Sequence, residues 1–207
     1  GMNARERVLA ALRRQGLPDQ VPIQFDLCRS LLEGFSQKYG IPVQYTTSYY
    51  EDVTYRISAN ALRTAMGSDC VIVGGSLPAG YRHRTRPDGC VVNEFGMVMR
   101  QGPLYMEVIE APLADISTAD EVRRFPMPDP TAAGRFEAAK AEIARFKDDY
   151  FIIGDLELTM FELAWHMVGM EKFLIDLSMG EAYVGALFDR VMEFTIGVGK
   201  RLVELGV

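Results

Sequence analysis

Two short, continuously apolar segments constrain the fold of this chain more than any other feature. Residues 69–75 read Asp-Cys-Val-Ile-Val-Gly-Gly, and residues 150–155 read Tyr-Phe-Ile-Ile-Gly-Asp. Apolar side chains at successive positions, rather than at alternate ones, are typical of parallel strands that helices cover on both faces. A third run at 21–26, Val-Pro-Ile-Gln-Phe-Asp, is shorter and also ends in a carboxylate. The sequence therefore predicts three buried strands of a parallel sheet.

Apolar residues at helical spacing fill the intervals between these runs. Asn3 and Glu6 form a capping-box pattern that begins a first helix within residues 1–20. Gly40 is placed to end a helix, and Gly169 to break a later one. The further predicted helices are 29–39, 50–66 (with Val53, Ile57, Ala61 and Leu62 on one face), 117–125, 135–146, 162–177 and 181–205. Strands that alternate with helices indicate the α/β class.

Residues 84–111 interrupt this alternation. Polar and apolar residues alternate here, Pro87-Asp88-Gly89 has the composition of a turn, and Gly96 and Gly102 are breaks. The segment therefore predicts an inserted antiparallel β-ribbon with one solvent-facing side.

Composition excludes several functional classes. The 207 residues include 28 acidic and 22 basic side chains, a net charge of −6, which argues against a nucleic-acid surface. No apolar run approaches the ~18 residues of a membrane span. The three cysteines form no C-x-x-C pair and only two histidines accompany them. We therefore expect a reducing, cytoplasmic setting and no complete metal site within the chain.

The ends of the three apolar runs carry the candidate site residues, because ligands of parallel α/β folds bind at the carboxyl ends of strands. Asp155 could orient a substrate or accept a proton, or it could cap the following helix. Glu157 could act at the same place as a second catalytic group, or it could pair with a helix dipole. We expect these two carboxylates to be the catalytic residues.

Residues at the ends of the other two runs are candidates for substrate binding. Asp26 could contact a substrate or a metal, or cap the helix that begins at Arg29. The predicted substrate-binding set is Gln24, Asp26, Arg29, Gly75 and Ser76.

Three further features have two interpretations each. The run Arg-His-Arg-Thr-Arg at 82–86 could hold a phosphate or carboxylate tail, or could be a solvated loop. His166, beside Trp165, could be a ligand, but packing or hydrogen bonding is the favoured interpretation. Cys28 could line the pocket, whereas Cys70, inside an apolar run, is expected in the core.

Several segments together resemble the uroporphyrinogen decarboxylase-like superfamily. They are Arg-Glu-Arg-Val-Leu-Ala-Ala-Leu at 5–12 followed by Asp-Gln-Val-Pro-Ile at 19–23, Asn-Glu-Phe-Gly at 93–96 followed by 111–115 and 125–130, and finally 169–177 and 199–207. The resemblance covers essentially the whole chain and matches the amino-terminal part of the family's fold. It implies that residues 1–207 are the amino-terminal part of a (β/α)₈ TIM barrel with an inserted β-ribbon, because the long helix at 181–205 ends where a further strand would follow.

The superfamily contains decarboxylases and corrinoid-dependent methyltransferases, which move a methyl group between a corrinoid and a thiol. The decarboxylases carry an Arg-Gln-Ala-Gly-Arg segment where residues 26–31 of this chain hold the single arginine Arg29. Several carboxylates would need several cations, so the resemblance favours the methyltransferase branch. That branch uses zinc held by a His-x-Cys pair, which this sequence lacks. Zinc and a corrinoid are therefore expected only in the complete parent fold.

Two alternatives remain open at this stage. The first is a decarboxylase that acts on a tetrapyrrole or a smaller carboxylated substrate. The second is a non-catalytic fragment or binding module, which would need a homo-oligomer or a completing partner chain. In either case the expected ligand is a small molecule or a corrinoid.

Overall fold

The computed structural model describes residues 1–50, 55–103 and 106–207 of the chain. The helices are α1 (Ala4–Arg13), α2 (Arg29–Tyr39), α3 (Asn60–Ala65), α4 (Ala119–Arg124), α5 (Glu137–Phe146), α6 (Met160–Val168), α7 (Met170–Met179) and α8 (Ala182–Glu204). The strands are β1 (Cys70–Gly74), β2 (Arg84–Thr85), β3 (Val91–Val92), β4 (Val98–Gln101), β5 (Met106–Glu110) and β6 (Phe151–Asp155). The molecule is therefore a mixed α/β structure.

Strands β1 and β6 lie in the two continuously apolar segments 69–75 and 150–155, and they pair in parallel. Cys70 lies opposite Phe151, and Gly74 lies opposite Asp155. Every residue of β1 is buried, as expected for a strand that is covered on both faces. The prediction of parallel strands at these two runs is confirmed.

Helix α8 supplies much of the core that covers this pair. Its inward residues recur at steps of three or four positions, which is the spacing of one helical face. The apolar members of that face are Tyr183, Val184, Leu187, Val191, Phe194, Val198 and Leu202. They pack with α4 and α6 as well as with β6.

Several predicted helix boundaries are confirmed, and each has a local cause. The Asn3 side chain accepts a hydrogen bond from the backbone N–H of Glu6, whose carboxylate accepts one from Asn3 in return. Gly40 ends α2 in the left-handed conformation at φ +66°. Gly169, at φ +99°, separates α6 from α7.

The inserted ribbon is confirmed as an antiparallel sheet with the strand order β2-β3-β4-β5. Cys90, Val92 and Val98 form a small buried cluster within it. Arg84 and Thr85 are exposed, as expected for a solvent-facing side. Positions 104–105, which the ribbon prediction included, lie outside the described residues.

The prediction of a buried strand at 21–26 is wrong. Val21 is 78% exposed and Ile23 is 49% exposed, and the segment joins no sheet within the described part of the chain. Ile23 instead makes two hydrogen bonds to Asp69: its carbonyl accepts from the Asp69 N–H, and its own N–H donates to the Asp69 carboxylate, both at 2.7 Å. Because a side chain takes the N–H that a strand ladder would use, pairing stops at this residue.

The predicted helix at 50–66 is also wrong at its start, because within the described residues the helix begins at Asn60. Residues 51–54, including Val53, lie outside the described residues, and the helix that follows is only α3. Ala59 has φ +59°, a left-handed conformation that interrupts a helix. The Asn60 side chain is bound to β1, where its amide oxygen accepts from the Ile72 N–H at 3.0 Å. Because this contact holds the Asn60 side chain on β1, α3 begins at Asn60 rather than at the predicted start.

The parallel sheet of the described residues therefore has two strands rather than three, and it forms no closed barrel. Among these residues, none of the helices combines the length and the hydropathy that a membrane crossing requires.

Two glycines of α8 give a matched test of how tightly this helix packs. A Cβ at Gly197 would lie 2.6 Å from Cγ of Pro130, whereas a Cβ at Gly185 would meet nothing within 4 Å. We expect Gly185→Ala to raise the free energy of unfolding by about 0.5–1 kcal/mol through helix propensity. Gly197→Ala should lower it by about 1–3 kcal/mol, because the proline ring cannot move away. Urea unfolding of both variants checks this, and equal effects would contradict the packing.

Candidate functional site

The carboxyl ends of β1 and β6 bring predicted site residues from two distant parts of the chain together. Gly74 and Asp155 are opposite each other in the strand register. Residues 75–77 follow β1, and 156–157 follow β6. We call Asp155 and these residues the carboxyl edge. It is the place where a parallel α/β fold binds its ligands.

Asp155 lies at this edge with one carboxylate oxygen engaged and the other not. Its Oδ1 accepts a hydrogen bond from the Glu157 N–H at 3.0 Å, and it lies 3.5 Å from Nη1 of Arg56. Its Oδ2 is buried and makes no hydrogen bond to any described residue. The interpretation of Asp155 as a helix cap is wrong, because the N-cap of α6 is Thr159. A buried acceptor without a partner is what a ligand with a donor group would satisfy.

Glu157 adopts a left-handed backbone conformation at φ +53°, which is uncommon for a residue with a side chain. It lies in the loop before α6, whose first turn carries Glu162 as its acidic residue. Glu157 therefore lies outside the first turn of α6. A strained, non-glycine residue beside Asp155 is a feature that clusters at functional sites.

Tyr49 holds this loop in place. Its hydroxyl donates to the carbonyl of Leu156 at 2.8 Å. Burial raises the pKa of Tyr49 well above its usual value, and the negative charges of Glu157 and Asp155 raise it further, against an opposing effect of Arg135. Tyr49 is therefore a protonated donor at neutral pH, close to both predicted catalytic carboxylates.

Gly75 and Ser76 are packed against this tyrosine and an arginine. A Cβ at Gly75 would lie 3.0 Å from the Tyr49 ring, so only glycine fits without a shift. The Ser76 hydroxyl donates to the carbonyl of Thr47. The Ser76 N–H donates to the Arg135 carbonyl at 2.8 Å, and its carbonyl accepts from Nη1 of Arg135 at 3.0 Å. These contacts hold Gly75 and Ser76 of the carboxyl edge in position.

Arg135 is fully buried, and sequence reasoning missed it. Its guanidinium makes a two-point contact with Glu94, with Nη1 to Oε2 at 3.0 Å and Nη2 to Oε1 at 2.6 Å. It also donates to the carbonyl of Asp129 and lies over the ring of Tyr49 at 5.7 Å. The two charged residues are 41 positions apart, so no local motif indicates the pair.

Asp26 and Gln24 lie together near a second buried arginine. Oδ1 of Asp26 accepts from Gln24 Nε2 at 3.1 Å and from Arg63 Nη1 at 3.2 Å. Burial lowers the pKa of Arg63, while the carboxylates of Asp26, Glu142 and Asp155 oppose that shift. Asp26 does not cap α2, because the N-cap of that helix is Cys28.

Asp26 and Asp155, two of the predicted site residues, are linked by one series of contacts. Arg63, which binds Asp26, also donates from Nη2 to the carbonyl of Arg56, and Arg56 is the residue that approaches Asp155. Each carboxylate therefore has its own arginine. Arg29 makes different contacts: its Nε is 3.0 Å from Glu33, and its guanidinium lies 5.6 Å from the centre of the Tyr45 ring.

Among the histidine and cysteine candidates, His166 and Cys70 are largely buried, whereas Cys28 is exposed. Nδ1 of His166 shares a hydrogen bond with the Tyr50 hydroxyl, and the His166 ring stacks on the same tyrosine. Burial lowers its pKa to about 4, so it is neutral at physiological pH and packed as the favoured interpretation expects. Cys70 is buried, which raises its pKa to about 11, and Cys28 is exposed. Over residues 1–50, 55–103 and 106–207, no three His, Cys, Asp or Glu side chains converge as a metal site would require.

Comparison with solved structures finds one informative likeness. The chain matches a methyltransferase from Methanosarcina mazei with a TM-score of 0.60 and 18% sequence identity. The match covers 100% of this chain and 57% of that one, so this chain spans little more than half the length of that structure. The two share a fold over the whole of this chain. A scan of protein-family models and a search of curated proteins each return no match.

The buried ion pair between Arg135 and Glu94 predicts a large effect of a small substitution. Glu94→Gln leaves the guanidinium in the core without its counter-charge, and should lower the free energy of unfolding by about 3 kcal/mol. Glu110→Gln is the matched control, since Glu110 pairs with Arg86 on the exposed side of the same ribbon and should cost less than about 1 kcal/mol. Denaturant unfolding measures both. Similar losses in the two variants would show that the Arg135 contact is not a major constraint.

Proposed function

We propose that this chain is the amino-terminal part of a (β/α)₈ barrel of the uroporphyrinogen decarboxylase-like superfamily, of the type that transfers a methyl group between a corrinoid and a thiol. One observation carries the proposal: the whole chain shares its fold with a methyltransferase. The segments that resemble the superfamily, and their order along the chain, support it. The parallel pairing of β1 with β6 also supports it. The proposal covers both the complete fold and its reaction.

The carboxyl edge would bind the methyl acceptor or donor. Asp155 offers a buried, unpaired carboxylate oxygen, which would accept a hydrogen bond from a donor group of the substrate and so orient it. Glu157 would act beside it from a strained loop, and the Tyr49 hydroxyl keeps that loop in position through Leu156. We assign the catalytic role to Asp155 and Glu157, and a positioning role to Tyr49.

The remaining predicted residues would contribute in two ways. Gln24 and Asp26 are grouped on Arg63 and would contact the substrate. Gly75 and Ser76 would shape the floor of the site, because their polar atoms are held by Thr47 and Arg135. Arg29 would contact the substrate only if its pair with Glu33 opened.

Zinc and the corrinoid require residues beyond those described. The described part of the chain contains no group of three metal-ligating side chains, and both histidine rings are engaged, by Tyr50 and by the Ser48 carbonyl. The described residues therefore do not fit a zinc ion. A methylated corrinoid would enter as the methyl donor, and we assign it no contacts.

Decarboxylation of a carboxylated substrate is the weaker alternative. It needs cations that are available for the carboxylates of the substrate. The one arginine of the segment 26–31 already pairs with Glu33 and lies over Tyr45. This observation favours the methyltransferase proposal over the decarboxylase.

Methyl transfer can be tested on a protein in which this chain is joined to the segments that complete the barrel and hold the zinc. Incubation with methylcobalamin and a panel of small thiols should produce the S-methyl product, which mass spectrometry detects, together with loss of the methylcobalamin absorbance. We expect Asp155→Asn to slow this transfer about tenfold or more, because the oxygen that orients the substrate is changed.

Asp115→Asn is the matched control for this experiment, since Asp115 is exposed and should leave the rate unchanged. Circular dichroism would verify that both variants are folded. A folded, zinc-loaded complete protein that produces no S-methyl product, or a rate that falls equally in both variants, would contradict the assignment of the reaction to this edge.

One observation favours the alternative of a module that needs a partner chain. Helix α7 exposes apolar residues on one face, among them Met170, Leu174 and Leu177, which are spaced as neighbours along a helix. Contiguous apolar surface of this kind marks interaction sites. If a second copy of the chain covers this face, sedimentation should show association that Leu174→Gln weakens and Leu12→Gln, at an exposed position of α1, does not. A monomer at every concentration would contradict this alternative.

A further inference from the structure

Positive charge accumulates near the base of the ribbon in a chain whose net charge is −6. Residues 82–86 hold three arginines and one histidine, and no acidic residue. Arg86 is neutralised, because it lies 3.2 Å from Asp88 and 2.8 Å from Glu110. Within the described ranges, Arg82 and Arg84 make no ion pair. Two cations of this segment therefore have no ion-pair partner among the described residues.

A cavity of about 530 Å³ lies beside these cations. Its walls include Thr47, Leu77, Tyr81, Arg82, His83 and Thr85. Leu77 belongs to the carboxyl edge, so the cavity adjoins the end of β1. Among the described residues that line it, none is acidic, and Arg82 gives this part of the lining a positive charge.

Among the described residues, Glu94 is an acidic residue that acts on Tyr81 in this cavity. Burial raises the pKa of Tyr81, and the negative charge of Glu94 raises it further, while Arg84 opposes that shift. Both carboxylate oxygens of Glu94 are held by Arg135, so its charge is compensated. Tyr81 keeps its proton at neutral pH and can donate a hydrogen bond into the cavity.

His83 has one ring nitrogen engaged and one without a partner. Its Nε2 lies 3.3 Å from the carbonyl oxygen of Ser48, and since a carbonyl can only accept, Nε2 carries the hydrogen. Its Nδ1 is buried and makes no hydrogen bond to any described residue. Buried polar atoms are nearly always satisfied, so this nitrogen indicates a missing ligand group. The ring packs edge-on against Tyr81, with the ring centres 6.1 Å apart.

We propose that this cavity binds the phosphate group of a small phosphorylated molecule. A guanidinium matches phosphate through paired N–H donors, which Arg82 supplies, and the Tyr81 hydroxyl adds a neutral donor. A phosphate oxygen that carries hydrogen can donate to Nδ1 of His83. A carboxylate fits less well, because it bears one charge and, at neutral pH, no proton to donate. The proposal does not depend on the assignment of methyl transfer.

Proton NMR of the two histidines provides a direct test, because the chain has no others. The probes are inorganic phosphate and glycerol 3-phosphate, added at constant ionic strength with chloride as the balancing anion. We expect a saturable shift of the His83 imidazole signals with both probes, while the signals of His166 stay unchanged. His83→Gln assigns the signals. Stronger binding of glycerol 3-phosphate than of phosphate would identify an organic phosphate as the preferred form, and the reverse order would identify free phosphate.

Two variants separate a built site from general attraction of anions. Arg82→Gln should weaken phosphate binding about tenfold or more. Arg123→Gln removes the same charge from an exposed pair on α4 and should leave the affinity unchanged. The absence of a saturable shift at His83, an equal loss of affinity in both variants, or an equal response to acetate would each overturn the proposal.

Discussion

The buried guanidinium of Arg135 is the contact on which the arrangement of this molecule most depends. Its N–H groups donate hydrogen bonds to the Glu94 carboxylate in the ribbon, to the carbonyl of Asp129 in the segment 126–130, which contains three prolines, and to the carbonyl of Ser76 after β1. Removing a cation from water is costly unless its donors find partners of good geometry. These three segments must therefore be in place together, and the ribbon is fixed to the sheet by charge as well as by apolar packing.

The same contact determines the shape of the carboxyl edge. Arg135 lies over the ring of Tyr49, and Tyr49 in turn holds the carbonyl of Leu156 between the two predicted catalytic carboxylates. Gly75 leaves the space that this tyrosine occupies. A substitution of Glu94 in the ribbon would thus affect the loop after β6 indirectly, because Glu94 holds Arg135, Arg135 lies over Tyr49, and Tyr49 binds Leu156.

Sequence patterns predicted the elements whose causes are local, and they failed where distant contacts decide. The runs at β1 and β6 and the caps at Asn3 and Gly40 depend on neighbouring residues, so their prediction was sound. At 21–26 the pattern was right for a strand, but the carboxylate of Asp69 takes the backbone N–H of Ile23. The helix start at Asn60 likewise depends on a contact with β1, 12 residues away, which periodicity does not contain.

The candidate site shows the same division, and it leads to a statement about charge. Asp155 was predictable because it ends an apolar run, whereas Tyr49 reaches Leu156 across 107 positions and has no local signal. With both strand ends considered, the carboxylate of Asp155 ends β6, and Arg82, which makes no ion pair within the described residues, lines the cavity beyond β1. The two strand ends therefore differ in the sign of the charge that lies near them.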